Sequence, residues 1–119
     1  MERCFLMILI SVPGFLSDSI EPKDKETNIN RNEEERVTLS CSYDASSTYV
    51  YLYWYRQYPN REPEFLLYKG AQSWSSYKNI PDPQRFQSTT SQTSTELIIT
   101  SATLSDSALY YCALRVAAQ

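Results

Sequence analysis

From residue 20 onward, apolar residues recur at every second position in short runs separated by polar, turn-forming stretches, and no run keeps the spacing of a helix face. Residues 36–43 put Val37, Leu39, Cys41 and Tyr43 on one side of a strand and Thr38, Ser40 and Ser42 on the other. Residues 51–57 put Leu52 and Trp54 on one side, with Tyr53, Tyr55 and Gln57 opposite. Shorter strands are predicted at 65–68, 85–89, 96–100 and 109–114. Ser, Asn, Asp and Pro concentrate between them, at 44–48, 70–77 and 81–83, which are read as loops. Glu33, Glu34 and Glu35 read as a solvated turn. The pattern predicts an all-β sandwich.

The amino terminus is different. Glu2 and Arg3 precede a continuous apolar run over residues 4–12, closed by Pro13 and Gly14. The run is too short for a bilayer, which takes roughly 20 apolar residues. Ser17 and Ser19 then have the spacing of small residues at a leader cleavage site. Residues 1–19 are expected to be a secretory signal cut after Ser19, with Ser17 as the alternative; the competing reading is a buried N-terminal strand. Cleavage would remove Cys4 and leave Cys41 and Cys112, an even pair that reads as a disulfide in an oxidising compartment. No later apolar run offers a membrane anchor. Residues 20–119 form the single remaining domain.

Composition narrows the chemistry. The 119 residues carry 11 Lys+Arg against 14 Asp+Glu, a net charge of -3, which argues against nucleic acid as a partner. Histidine is absent, which removes Ser-His-Asp and Cys-His catalysis and His-ligated zinc. With two glycines, Gly14 and Gly70, no phosphate-cradling loop can be written. No catalytic residue, metal ligand or cofactor is assigned. Asn-x-Ser/Thr triplets are absent, so no N-glycan is expected.

Cys41 and Cys112 stand 71 positions apart, with Trp54 following the first by 13. A bridge between two packed sheets, covered by an indole, is the core of an immunoglobulin sandwich, and Tyr110 stands where its tyrosine corner falls. Trp54, Tyr110, Leu39 and Leu97 are the expected core. Residues 104–114, Leu-Ser-Asp-Ser-Ala-Leu-Tyr-Tyr-Cys-Ala-Leu, and residues 54–59, Trp-Tyr-Arg-Gln-Tyr-Pro, resemble a T-cell receptor variable domain. With Phe-Leu-Leu-Tyr at 65–68, the chain is most similar to the alpha/delta group, over about residues 20–115.

The resemblance implies a V-type Greek-key sandwich in which Arg85 and Asp106 close one end as an ion pair, the alternative being two unrelated surface charges. It implies a face of Tyr55, Gln57, Pro63, Phe65 and Tyr111 packed on a partner variable domain, from a beta chain, or from a gamma chain if this is delta. It also implies three hypervariable loops that meet peptide–MHC: Asp44, Ser46, Ser47, Thr48 and Tyr49 in the first, Gln72, Ser73 and Trp74 in the second, Leu114 and Arg115 opening the third. Trp74 has a competing reading, folded back on the sheet. Signalling subunits would act through a constant region, at the plasma membrane.

The family's final (G) strand, opened by Phe-Gly-x-Gly, is missing before Gln119. The expectation is a V segment before joining, its 109–114 strand unpaired along one side, so that residues 20–119 alone fold poorly or oligomerise. Val116 and the residues after it are assigned no role. Other readings are a non-rearranging V-set receptor, an immunoglobulin light-chain V segment, a homophilic adhesion module and, remotely, a secreted β-sandwich hydrolase with paired carboxylates.

Overall fold

A computed structural model describes residues 3–9, 18–23, 26–29 and 35–116, with side chains at 18–23 and 36–116. Glu33 and Glu34 of the acidic triplet, most of the leader and residues 117–119 lie outside these. The strands are β1 (Arg3–Leu9), β2 (Ser19–Pro22), β3 (Glu26–Ile29), β4 (Glu35–Asp44), β5 (Tyr49–Gln57), β6 (Glu64–Gln72), β7 (Lys78–Asn79), β8 (Phe86–Thr90), β9 (Ser94–Ala102) and β10 (Leu109–Val116). They form two sheets, ordered β3-β1-β10-β5-β6-β7 and β2-β4-β9-β8. The protein is an all-β two-sheet sandwich.

The alternating residues meet between the sheets. Val37, Leu39 and Cys41 from β4 face Leu52 and Trp54 from β5, with Leu97, Ile99, Tyr110, Cys112 and Leu114 completing the core. Cys41 and Cys112 are joined by a disulfide. Closing so long a loop contributes about 4 kcal/mol in the chain-entropy account. Trp54 is fully buried, and its indole Nε1 donates to Thr95 Oγ1 at 3.3 Å, which satisfies the one polar atom the ring carries.

One expectation needs correction, and two strands, β1 and β2, need placing. β6 runs to Gln72, so residues 70–72, read as loop, are strand. β2 was not foreseen; four residues with Ile20 and Pro22 turned inward are too short for a periodicity signal. Its proline is tolerated because β2 is an edge strand. The expectation of an unpaired side applies to residues 20–119, without the leader, and concerns β10. Within this chain β1 lies along it in parallel, with Leu6 opposite Leu109 and Leu9 opposite Cys112. The physical reason is the exposed row of backbone donors and acceptors, which takes up an available extended segment.

Candidate functional site

The outer face of the larger sheet carries a ladder of rings. Alternation along β5 turns Tyr51, Tyr53 and Tyr55 outward while Val50, Leu52 and Trp54 are buried. β6 breaks its alternation: Leu66 and Leu67 are both buried, and the pairing shifts register between Trp54 and Tyr55. That bulge sets Phe65 opposite Tyr55 and Tyr68 opposite Tyr53, so both join the outer face. Ring centroids lie 6.0 Å apart for Tyr55–Phe65, 5.2 Å for Tyr53–Tyr68 and 4.9 Å for Tyr51–Tyr68. Phe65 is 37% exposed and Pro63 is also exposed.

Gln57 sits at the lower end of this face. Its Oε1 accepts from the Tyr111 hydroxyl at 2.5 Å, and its Nε2 donates to the Arg61 carbonyl at 2.8 Å. At the upper end, Arg115 Nη1 donates to the Tyr53 hydroxyl at 3.4 Å. That bond raises the guanidinium's pKa, with the nearby tyrosines adding to it. Burial raises the Tyr55 hydroxyl, and Tyr53 beside it acts in the same direction. The structure thus brings Tyr55, Gln57, Phe65 and Tyr111 onto one face, half-buried or exposed.

The loop end is cross-braced. Ser73 N donates to the Thr48 carbonyl at 3.0 Å and Ser73 Oγ to Thr48 Oγ1 at 2.9 Å, tying the second loop to the first. Tyr49 N donates to Ser47 Oγ. Ser46 N donates to Asp18 Oδ1 at 2.7 Å, a contact the sequence reading did not foresee. Gln72, at φ 54, donates to the Tyr43 hydroxyl, which in turn donates to the Ser91 carbonyl at 2.6 Å. A third stretch, around Ser91, therefore belongs to this end.

Trp74 is half-buried, stacked on Tyr51 at 4.5 Å and 29°, with Tyr49 at 5.5 Å. Its indole therefore extends the ring ladder to the loops. Gly70 makes the turn possible, since a Cβ there would stand 2.0 Å from the Trp74 carbonyl oxygen. Leu114, expected among the contact residues, is only 1% exposed. It lies opposite Leu52 in the β5–β10 ladder, and alternation turns it into the core, so its side chain is withdrawn from the loop surface. Arg115, the next residue, is exposed.

The opposite end is held by charge. Asp106, 2% exposed, accepts from Arg85 Nη2 at 2.8 Å, Arg56 Nη1 at 3.4 Å and Thr103 N at 2.9 Å. Arg56 was missed as a partner because it interrupts the alternation of β5. It also bonds Glu64 at 3.0 Å, and its guanidinium lies 4.9 Å from the Tyr58 ring centre. Burial works against the Arg56 charge, but the Glu64 bond together with Tyr110, Tyr58 and the Glu64 charge raises its pKa. The Tyr110 hydroxyl donates to the Asp106 carbonyl, the tyrosine-corner contact, and burial pushes its pKa up. No group of three or more His, Cys, Asp or Glu among the described residues could hold a metal ion.

The immunoglobulin V-set domain family matches residues 24–119. Human T cell receptor alpha variable 14/delta variable 4 is 37% identical over 117 residues, covering 97% of this chain and 99% of that protein. Human T cell receptor alpha variable 3 is 36% identical, with 92% of each chain covered. Human T cell receptor alpha variable 18 is 38% identical over 112 residues, covering 92% of this chain and 93% of its own.

Proposed function

The chain belongs to the immunoglobulin V-set family, among the T-cell receptor alpha and delta variable segments, and on that footing we propose that it is the antigen-reading half of a heterodimeric receptor. Proteins of this group are binding modules and not enzymes. The observation that carries the proposal is the ring ladder of β5, β6 and β10. A row of tyrosines with a phenylalanine, half-exposed on a flat sheet, supplies rigid contact area with polar tips, the composition of a protein interface.

Its partner is the variable domain of a beta chain. The relative named for both alpha and delta loci keeps a gamma chain as the partner if this segment joins a delta constant region. Tyr55, Gln57, Pro63, Phe65 and Tyr111 form the contact. The braced loops, with Ser46, Ser47, Thr48, Tyr49, Ser73 and Arg115 presented outward, face peptide–MHC. Serine with tyrosine gives adaptable hydrogen bonding around aromatic anchors. No helix among the described residues is long and apolar enough to cross a membrane. An amino-terminal leader directs the chain into the secretory pathway, and display at the plasma membrane and signalling come through a constant region.

Replacing Gln57 by Glu puts a charge at the lower end of that face and removes the donor to Arg61. A charge buried without a partner costs about 2–5 kcal/mol at an interface. Surface display of the joined chain with its beta partner is expected to fall several-fold. Undiminished display would sink the assignment of this face.

A further inference from the structure

We propose that leader removal cuts the Ser17–Asp18 peptide bond, leaving Asp18 as the first residue of the mature chain and its carboxylate as the group that holds the first hypervariable loop. The inference rests on the reading of the amino terminus as a leader. It moves the cut two residues upstream of the position favoured by the spacing of small residues.

β2 begins at Ser19, which pairs with Asp44, and Ile20 is 1% exposed. A cut after Ser19 would therefore start the chain inside a paired strand. Asp18 stands just before that strand, beside the loop that follows Asp44. Its Oδ1 accepts from Ser46 N at 2.7 Å, across 28 positions of sequence. A carboxylate bonded to a backbone N–H is a charge-assisted bond, stronger than a neutral one. Ser46 is in the middle of loop 44–48, so this bond restrains the loop at its centre. A cut after Ser19 would discard it.

The second observation is the other carboxylate oxygen. Asp18 Oδ2 is buried and has no hydrogen-bond partner among the described residues. A buried carboxylate oxygen without a donor is costly. Hydrolysis of the Ser17–Asp18 bond by a leader peptidase consumes one water, leaves a carboxylate on Ser17 and places an α-ammonium on Asp18. That ammonium belongs to the same residue and is within reach of Oδ2. Processing at this bond thus supplies a cation beside an oxygen that no described residue partners, and the loop anchor is completed by maturation.

Translation of the full chain with endoplasmic-reticulum microsomes, followed by mass spectrometry of the processed product, reads the amino terminus directly. A product beginning at Asp18 is the expected result. A start at Ser19, at Ile20 or upstream of Asp18 overturns the proposal while leaving the leader reading intact; an unprocessed chain overturns both. In the assembled receptor, Asp18→Ala is expected to speed amide exchange at Ser46 about tenfold, with the amides of β4 and β9 unchanged. Unaltered exchange at Ser46 would overturn the role of Asp18 in holding the loop.

Discussion

Asp106→Ala should be among the most damaging single changes outside the hydrophobic core. The carboxylate is the common acceptor for Arg85, Arg56 and the Thr103 amide, and its side chain is 3% exposed. Breaking a buried ion pair by removing one partner costs about 3–5 kcal/mol. The lower end applies here. Arg85 is 38% exposed and can turn to water, and Arg56 keeps Glu64, itself 49% exposed, at 3.0 Å. The orphaned Thr103 amide adds about 1 kcal/mol, so the total is about 4 kcal/mol. For a domain of this size that lowers Tm by roughly 16–32 °C. Asp106→Asn, which keeps an acceptor but not the charge, should cost about half as much. Urea and thermal unfolding of the joined domain paired with a beta variable domain measure both. A loss under about 1 kcal/mol for alanine, or equal losses for the two variants, would refute the charge argument.

Two further changes test other parts of the framework. Gly70→Ala forces a methyl carbon to within 2.0 Å of the Trp74 carbonyl, so the turn must move. A loss of at least about 2 kcal/mol with a shift in Trp74 fluorescence is expected, and a silent variant would contradict the close approach. Tyr110 is pushed up by burial, so the folded protein holds this proton where the unfolded chain releases it. Its contribution is complete below the ordinary tyrosine range, near pH 10, and is lost as pH rises above it. Tyr110→Phe should flatten stability against pH above 10 while costing about 1–2 kcal/mol at neutrality through the lost bond to the Asp106 carbonyl. An alkaline slope identical in both proteins would rule out Tyr110 as its source.

The long strands could be read from the sequence because each is buried on one face. Alternation in β4 and β5, with the Cys–Trp–Cys and tyrosine-corner spacing, pointed to Leu39, Trp54 and Tyr110 as core alongside Leu97, and all four are buried. Strands without a full period were not readable: β2 has four residues and β7 two. The bulge in β6 was invisible because Leu66 and Leu67 are both apolar whichever way they point. It decides that Phe65 and Tyr68 share a face, and so the shape of the ring ladder. Arg56 was hidden for the opposite reason, a charged residue half-buried at the end of a strand that otherwise alternates cleanly. The Asp18–Ser46 bond joins residues 28 positions apart and has no periodic signature at all. Leu114 shows the limit of transferring a loop by position, since the strand continues through it to Val116.

The stacking of Trp74 on Tyr51 ties the ring ladder to the loop end. Loops that rest on the ladder inherit its rigidity, and the 44–48 and 72–77 loops are joined besides through Thr48 and Ser73.

The central claim is that this chain supplies the variable segment of a rearranging antigen receptor. Sequencing lymphoid transcripts that read through Cys112 tests it most directly. Many different junctions after Leu114, each leading to Phe-Gly-x-Gly and one constant region, are the predicted result, and that constant region names the chain as alpha or delta. A single invariant continuation in every transcript would make it a fixed V-set receptor and contradict the claim.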